Sequence, residues 1–148
     1  LEEVGYKIKF VIHPALKEQT IDFTANDRVE ILNPDKIRYY KLFNEASLLI
    51  TDYSSVAFDF AYLRKPVIYF QFDQEEFHRD HFSSGYFNYE EMGFGPVIKT
   101  LNHMVDELKS ALDNDCKLSN KYKERIDNFF VYSDRNNSQR VYDAINKI

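Results

Sequence analysis

The apolar residues of this chain come in short unbroken runs rather than in alternation, and no other feature constrains its fold as tightly. Lys7–Ile12 (KIKFVI), Val29–Leu32, Leu48–Ile50 and Val67–Phe70 (VIYF) each read as a brief strand. Between them the spacing turns helical. Ile37–Ala46 places Ile37, Tyr40, Leu42, Phe43 and Ala46 close to a 3.6-residue period. After Asp52 or Ser54 as a cap, a second helix holds Val56, Ala57, Phe60, Ala61 and Leu63 on its inward face, until Lys65-Pro66 stops it. Strands apolar on both sides and separated by helices imply an α/β fold with a parallel sheet covered on both faces.

Beyond Phe70 the periodicity lapses. Gln71–Pro96 is aromatic, acidic and histidine-bearing, without a period, and reads as one long loop. Val97-Ile98 makes a last short strand. Three amphipathic helices follow, marked by Leu101, Met104, Val105, Leu108 and Leu112, then Tyr122, Ile126, Phe129 and Phe130, then Val141, Tyr142, Ile145 and Ile148. No internal repeat and no low-complexity tract is visible. At 148 residues the length suits a single domain with a real core, much of it aromatic, given 11 Tyr and 13 Phe. Leu1-Glu2-Glu3-Val4-Gly5 reads as the end of a helix with Gly5 as its C-cap, and the chain is expected to be part of something larger.

A net charge of −5 argues against nonspecific binding to nucleic acid. The lone cysteine, Cys116, excludes an internal disulfide framework and fits a reducing compartment. No apolar run approaches the roughly 18–20 residues that span a bilayer, and no signal peptide is visible.

In a parallel sheet, ligands sit beyond the carboxyl ends of the strands, near helix N-termini. Two groups of residues fall at such ends. His13 follows the first strand, and Thr51-Asp52-Tyr53-Ser54-Ser55 follows the third. A helix start offers free N–H groups and the positive end of a dipole, a seat for phosphate to which serine hydroxyls add donors. Asp52 would repel phosphate, so it is expected to point away and bond the loop backbone or a sugar hydroxyl. Plainer readings compete. Asp52 and Ser54 are ordinary capping residues, and a histidine before proline at a strand end is commonly structural. His78 and His81 lack a third metal ligand at a recognisable spacing, so no metal is expected. The rings from Phe77 to Phe94 suit packing or a lid better than a stacking platform. Lys117–Arg125 reads as a solvated helix face.

Several ordered motifs resemble one family. Thr51-Asp52-Tyr53-Ser54-Ser55-Val56, Phe58-Asp59-Phe60, Lys65-Pro66-Val67-Ile68-Tyr69-Phe70 and Phe72-Asp73 look like the C-terminal half of CDP-glycerol glycerophosphotransferases, the teichoic-acid primases and polymerases of bacterial cell-wall synthesis. His13 at its strand end, Gly85-Tyr86-Phe87 with Asn88-Tyr89, and Gly95-Pro96 match in the same order. Asp134 with Ser138-Gln139-Arg140 resembles a segment in which the family more often has Gly after the Asp and Glu between Ser and Arg; here those places hold Arg135 and Gln139. The resemblance covers nearly the whole chain.

It implies a GT-B transferase with two Rossmann-like domains, of which residues 1–148 are the donor-nucleotide-binding one, with the acceptor domain outside this chain. The implied reaction is attack by a polyol hydroxyl on the glycerol-bearing phosphate of CDP-glycerol, or its ribitol counterpart in CDP-ribitol, expelling CMP. No cofactor is implied. His13 would stabilise the pyrophosphate or the leaving CMP, Ser54 and Ser55 would bind the donor's phosphates, and Thr51 and Asp52 would orient the loop or touch the donor. The general base and the polymer or lipid-linked acceptor would belong to the other domain. The implied location is the cytoplasm, peripheral at the inner face of the membrane. Two rivals stay open: a GT-B nucleotide-sugar glycosyltransferase or epimerase, and a flavodoxin-like binding or receiver module without chemistry. The second predicts an acidic cluster where this chain has His13-Pro14.

Overall fold

A computed structural model describes residues 5–80 and 86–148. The helix end expected over Leu1–Val4 therefore lies outside the described residues, whereas Gly5 has a φ of 72°, the left-handed conformation of a C-cap glycine. The chain divides into two compact units, Leu1–Ala46 and Ser47–Ile148.

In the first unit β1 (Ile8–Val11) pairs in parallel with β2 (Val29–Leu32), Ile8 opposite Val29 and Val11 opposite Leu32. The crossover is a 3₁₀ segment, Pro14–Asp22, kinked at Leu16. Proline's fixed φ suits its first position, and His13 closes its start through Nδ1. The Asn26 side chain accepts the N–H groups of Arg28 and Val29 and sets the entry to β2. Asn33 caps a second 3₁₀ turn, Pro34–Lys36, in the same way. α1 (Tyr39–Glu45) begins two residues later than the periodicity predicts, because Ile37 and Arg38 leave that turn in extended conformation. Phe10 packs on Phe23 with ring centres 4.9 Å apart. Lys9–Glu45, Lys41–Glu45 and Lys17–Asp35 are exposed ion pairs, each worth about 0–1 kcal/mol.

The second unit carries a three-stranded parallel sheet in the order β3–β4–β5, from Leu49–Thr51, Val67–Phe70 and Val97–Ile98. α2 (Val56–Tyr62) packs on β3 and β4. The central strand is buried along Val67, Ile68 and Tyr69, as a continuous apolar run should be. β3 departs from that expectation: Ile50 is 44% exposed, on a strand with one sheet neighbour among the described residues. Leu63 departs too. The helix ends at Tyr62, Leu63 takes the capping position, and its side chain is exposed.

The segment expected as a loop contains two short helices, α3 (Gln74–Asp80) and α4 (Tyr89–Met92). Neither spans the two turns that make a period visible. Their starts carry the sequence signal instead: Glu75 and Glu76 in one first turn, Glu90 and Glu91 in the other, with the Asn88 side chain accepting both of the latter's N–H groups. Gly95 then lets the chain cross β4, since a Cβ there would lie 1.7 Å from the Val67 carbonyl oxygen. Past it, the Pro96 carbonyl accepts the Tyr69 N–H at 2.9 Å.

α5 (Leu101–Asp113), α6 (Asn120–Phe129) and α7 (Asn137–Ile145) fall where the amphipathic patterns put them. α5 packs on β5. Five aromatic residues pack together: Phe58, Phe87, Phe94, Phe129 and Phe130 form one group with successive ring centres 5.0 to 6.2 Å apart, whereas Phe72 and Tyr86 are exposed. Ala61 and Ile126 complete it. Phe94 is fully buried, which contributes about 1.5–3 kcal/mol, and the partly buried rings around it contribute less. This mass of rings fixes α2, and α2 fixes the turn that precedes it.

Candidate functional site

Thr51 is the last residue of β3, and four residues connect it to α2. That turn is held from three directions. Gln71, immediately after β4 and wholly buried, donates from Nε2 to the Asp52 carbonyl at 3.2 Å. The Tyr53 hydroxyl donates to Asp73 Oδ1 at 3.0 Å, while its ring lies flat on Phe77 of α3 with centres 3.6 Å apart. The Tyr89 hydroxyl, from α4, donates to the Tyr53 carbonyl at 3.0 Å. A buried amide pairs with backbone because leaving either group unpaired costs about 1–3 kcal/mol.

The phenols record this environment. Burial, reinforced by the bond to Asp73, raises the Tyr53 pKa. Burial also raises that of Tyr89, with the Asp52 carboxylate adding to it. Tyr69 below them is pushed up to about 12 by burial, against a lowering from the Phe94 N–H that meets its oxygen. All three therefore serve as neutral hydroxyl donors or acceptors at neutral pH.

Within the turn, Asp52 Oδ1 accepts the Ser54 N–H at 3.2 Å. Its carboxylate thus bonds the loop backbone, as expected. Capping falls differently from the expectation. Ser55 occupies the N-cap position and its side chain makes no cap bond, while Ser54 Oγ lies 3.5 Å from the Val56 nitrogen, at the limit of a hydrogen bond. Ser55 is exposed and Ser54 half-buried. The α2 N–H groups of Ala57 and Phe58 are already taken by the Ser54 and Ser55 carbonyls. Two hydroxyls therefore remain lightly used at the carboxyl end of a parallel strand, on a turn whose backbone is pinned.

His13 belongs to the first unit, two residues beyond the end of β1. Its Nδ1 accepts the Ala15 N–H at 3.2 Å. An acceptor at Nδ1 puts the proton of the neutral imidazole on Nε2, so the exposed ring presents an N–H donor outward. The plainer, structural role of His13 as a cap and its use as a donor are compatible, because they employ different nitrogens.

Near the C-terminus, Asp134 and Arg140 form a two-pronged ion pair, with the guanidinium 3.8 Å from the Tyr132 ring centre. Hydrogen bonds from Arg140 first, and then from the Asn136 N–H, lower the Asp134 pKa to about 2. The substituted neighbours Arg135 and Gln139 leave this pair intact, and Gln139 bonds Asp143 instead. Among the described residues no group of three or more His, Cys, Asp or Glu is arranged to hold a metal. His81 and the side chain of His78 lie outside the described residues.

Gln71, Asp73 and Tyr89 were missed as parts of the site. Their motif positions are visible in the sequence, but their work on a turn about twenty to forty residues away is not.

The sequence matches the family model described as CDP-Glycerol:Poly(glycerophosphate) glycerophosphotransferase over residues 2–147. It is 44% identical over 141 residues to the minor teichoic acid biosynthesis protein GgaB of Bacillus subtilis (strain 168), covering 95% of this chain and 15% of GgaB. It is 35% identical over 107 residues to a teichoic acid poly(glycerol phosphate) polymerase of the same organism, covering 72% of this chain and 14% of that one. Among solved structures, the wall teichoic acid polymerase TagF superimposes with a TM-score of 0.71 at 26% identity, over 99% of this chain and 37% of TagF. A histidine variant of TagF soaked with CDPG gives 0.68 at 27% identity, with the same coverage. The parallel α/β architecture is thus that of a GT-B enzyme, as expected. The chain spans about one-seventh of the length of these two relatives.

Proposed function

This chain belongs to the CDP-glycerol:poly(glycerophosphate) glycerophosphotransferase family, and from that premise we propose that residues 1–148 bind the donor in an enzyme that transfers glycerol phosphate or ribitol phosphate from its CDP-activated form. The relatives include polymerases and a primase named for either polyol phosphate. An acceptor hydroxyl attacks the phosphorus that bears the polyol. The bond from that phosphorus to the bridging oxygen breaks, the electron pair leaves with CMP, and the acceptor's proton passes to a base supplied outside this chain. Such a reaction depends on positioning and on neutralising charge as it moves to the leaving phosphate.

The observation that carries the reading is the pinned turn at the end of β3, with two lightly used serine hydroxyls in the residues just before α2. Ser54 and Ser55 donate to the donor's phosphates. Asp52 shapes the turn through the Ser54 N–H, and Thr51 fixes its root in the sheet. His13 donates from Nε2 to the pyrophosphate or the departing CMP, steadied by its Nδ1 bond. The enzyme works at the cytoplasmic face of the membrane, where a nucleotide-activated donor meets a polymer or lipid-linked acceptor; no helix among the described residues is long and apolar enough to cross a bilayer.

Replacing His13 with Ala in the enzyme carrying this chain lowers kcat by about 10²–10³, the usual cost of one preorganised donor to a developing anion, with little change in melting temperature. Near-normal turnover would reduce His13 to a cap on a 3₁₀ segment.

A further inference from the structure

α4 is a single turn of 4 residues, and so short a helix does not persist in water by itself. Its first donors are met by the Asn88 side chain, which accepts from the Glu90 and Glu91 N–H groups. Carbonyls at the C-terminal end of a helix have no partner within it, and here two are met from outside. Arg125, on α6, donates through Nη1 to the Gly93 carbonyl and through Nη2 to the Glu90 carbonyl, each at 2.9 Å. A guanidinium offers its donors as a rigid fork, which a lysine ammonium does not. The stretch from Lys117 to Arg125 reads in the sequence as a solvated face. Lys117, Lys121, Lys123 and Glu124 are exposed as that reading requires, but Arg125 is half-buried, its guanidinium carbon 5.6 Å from the Tyr122 ring centre. The next residue, Ile126, is buried in the aromatic group, so the fork has a fixed base. Lys99 also pairs with the Glu90 side chain, but that pair is exposed and correspondingly weak.

α4 bears directly on the turn between β3 and α2. Its first residue, Tyr89, donates its hydroxyl to the Tyr53 carbonyl at 3.0 Å, one residue before Ser54. The Tyr89 ring meets Tyr69 and Phe87 edge-on, with centres 5.1 and 5.2 Å apart. Those contacts orient the ring, and the main chain of α4 sets how far its hydroxyl reaches. We infer that Arg125 is a positioning residue of the proposed donor site: by holding α4 it places the Tyr89 hydroxyl, and through that hydroxyl the turn that carries Ser54 and Ser55. Arg125 acts through α4 rather than on the donor. For its effect on a ligand the inference rests on the donor-binding reading, and for the placement of the turn it does not.

A double-variant cycle tests the route. Arg125→Met keeps an unbranched stem and removes the fork, Tyr89→Phe removes the last link, and a third protein carries both changes. Ile126→Val, on the same helix but in the aromatic core, is the control for lost stability alone. Two quantities are measured: hydrogen exchange at the Ser54 amide, whose N–H bonds Asp52 Oδ1, and the Kd for CDP by isothermal titration. Arg125→Met and Tyr89→Phe each speed exchange at Ser54 and weaken CDP by about 2–30-fold, the range for changes along a contact network. The double variant matches Tyr89→Phe instead of multiplying the two losses, because residues that act in series are not additive. Ile126→Val matches the wild type in both quantities. Arg125→Lys, which keeps the charge without the fork, falls between Arg125→Met and the wild type, and carries the test if Arg125→Met does not fold. Wild-type exchange at Ser54 in the Arg125 variants overturns the inference. Losses that multiply in the double variant, or equal exchange in Ile126→Val, overturn it as well, since Arg125 would then support the fold at large. Failure of CDP to bind the wild type strikes the donor reading, while exchange at Ser54 still decides whether Arg125 positions the turn.

Discussion

Gln71 is the side chain on which the position of the turn between β3 and α2 most depends. It is wholly buried, and its Nε2 meets the Asp52 carbonyl at 3.2 Å while its Oε1 accepts the Gln74 amide at 3.4 Å. Gln71→Leu keeps most of the volume and removes both bonds. The cost is that of leaving the Asp52 carbonyl without its partner, about 1–3 kcal/mol, or about 2–12 °C in melting temperature for a domain of this size. Stability alone does not establish a role in binding, so the variant is paired with Ile126→Val. That change trims a residue 1% exposed in the aromatic core at about 0.5–1.5 kcal/mol, away from the turn. Isothermal titration with CDP at a temperature where both remain folded separates them. Gln71→Leu weakens CDP because the serines lose their fixed placement; Ile126→Val does not. If Gln71→Leu melts early yet binds CDP as the wild type does, Gln71 is core material and the reasoning about a pinned turn fails.

Two pH experiments follow from the shifted groups. Tyr53, Tyr69 and Tyr89 have raised pKa values in the folded state, burial being the first cause in each; their contribution is therefore whole below the ordinary tyrosine value of about 10 and is lost as pH rises toward 12. Melting followed by circular dichroism should fall across that window, and a flat profile to pH 12 would contradict the burial of these phenols. Asp134 has the opposite sign: lowered to about 2 by Arg140, it contributes above about 4 and loses that contribution as pH falls through its folded value. Its carboxyl carbon should titrate near 2 by NMR in the wild type and near the ordinary value in Arg140→Gln; no difference would mean the ion pair does not form in solution.

How far the sequence anticipates the structure depends on the range of the interactions concerned. Runs such as Val67–Phe70 announce a buried parallel strand because burial on both faces leaves no alternation; the runs do not say which strands pair, and where one parallel sheet is expected the described strands form two, β1–β2 and β3–β4–β5. Leu101–Asp113 shows its helix because it has more than three turns in which to display a period. Gln74–Asp80 and Tyr89–Met92 are too short for that, and only their acidic first turns betray them. The site divides the same way. Thr51 to Ser55 are legible as a strand-to-helix turn, and Asp52 bonds the backbone as its charge requires. The grip of Gln71, Asp73 and Tyr89 on that turn arises only when β4 and the segment after it are folded back against β3, and no local pattern encodes it. The N-cap position falls to Ser55 rather than to Asp52 or Ser54 for a related reason: all three are capping types, and the choice among them is made by tertiary anchoring of the turn.

The central claim is that Ser54 and Ser55 hold the phosphates of a cytidine-diphosphate donor, and ligand-induced thermal shift on this chain tests it most directly. Cooperative melting is established first. Ligand at 100 times its Kd then stabilises by about 2.7 kcal/mol, which a domain of this length registers as about 5–10 °C. CDP should shift the wild type more than UDP, with inorganic phosphate least. Ser54→Ala and Ser55→Ala should each reduce the CDP shift at matched concentration, by more than any loss of melting temperature in the unliganded variant explains. Equal shifts by all three ligands, or variants that melt earlier yet respond to CDP as the wild type does, would leave the two serines as structural residues and the donor site without support at this turn.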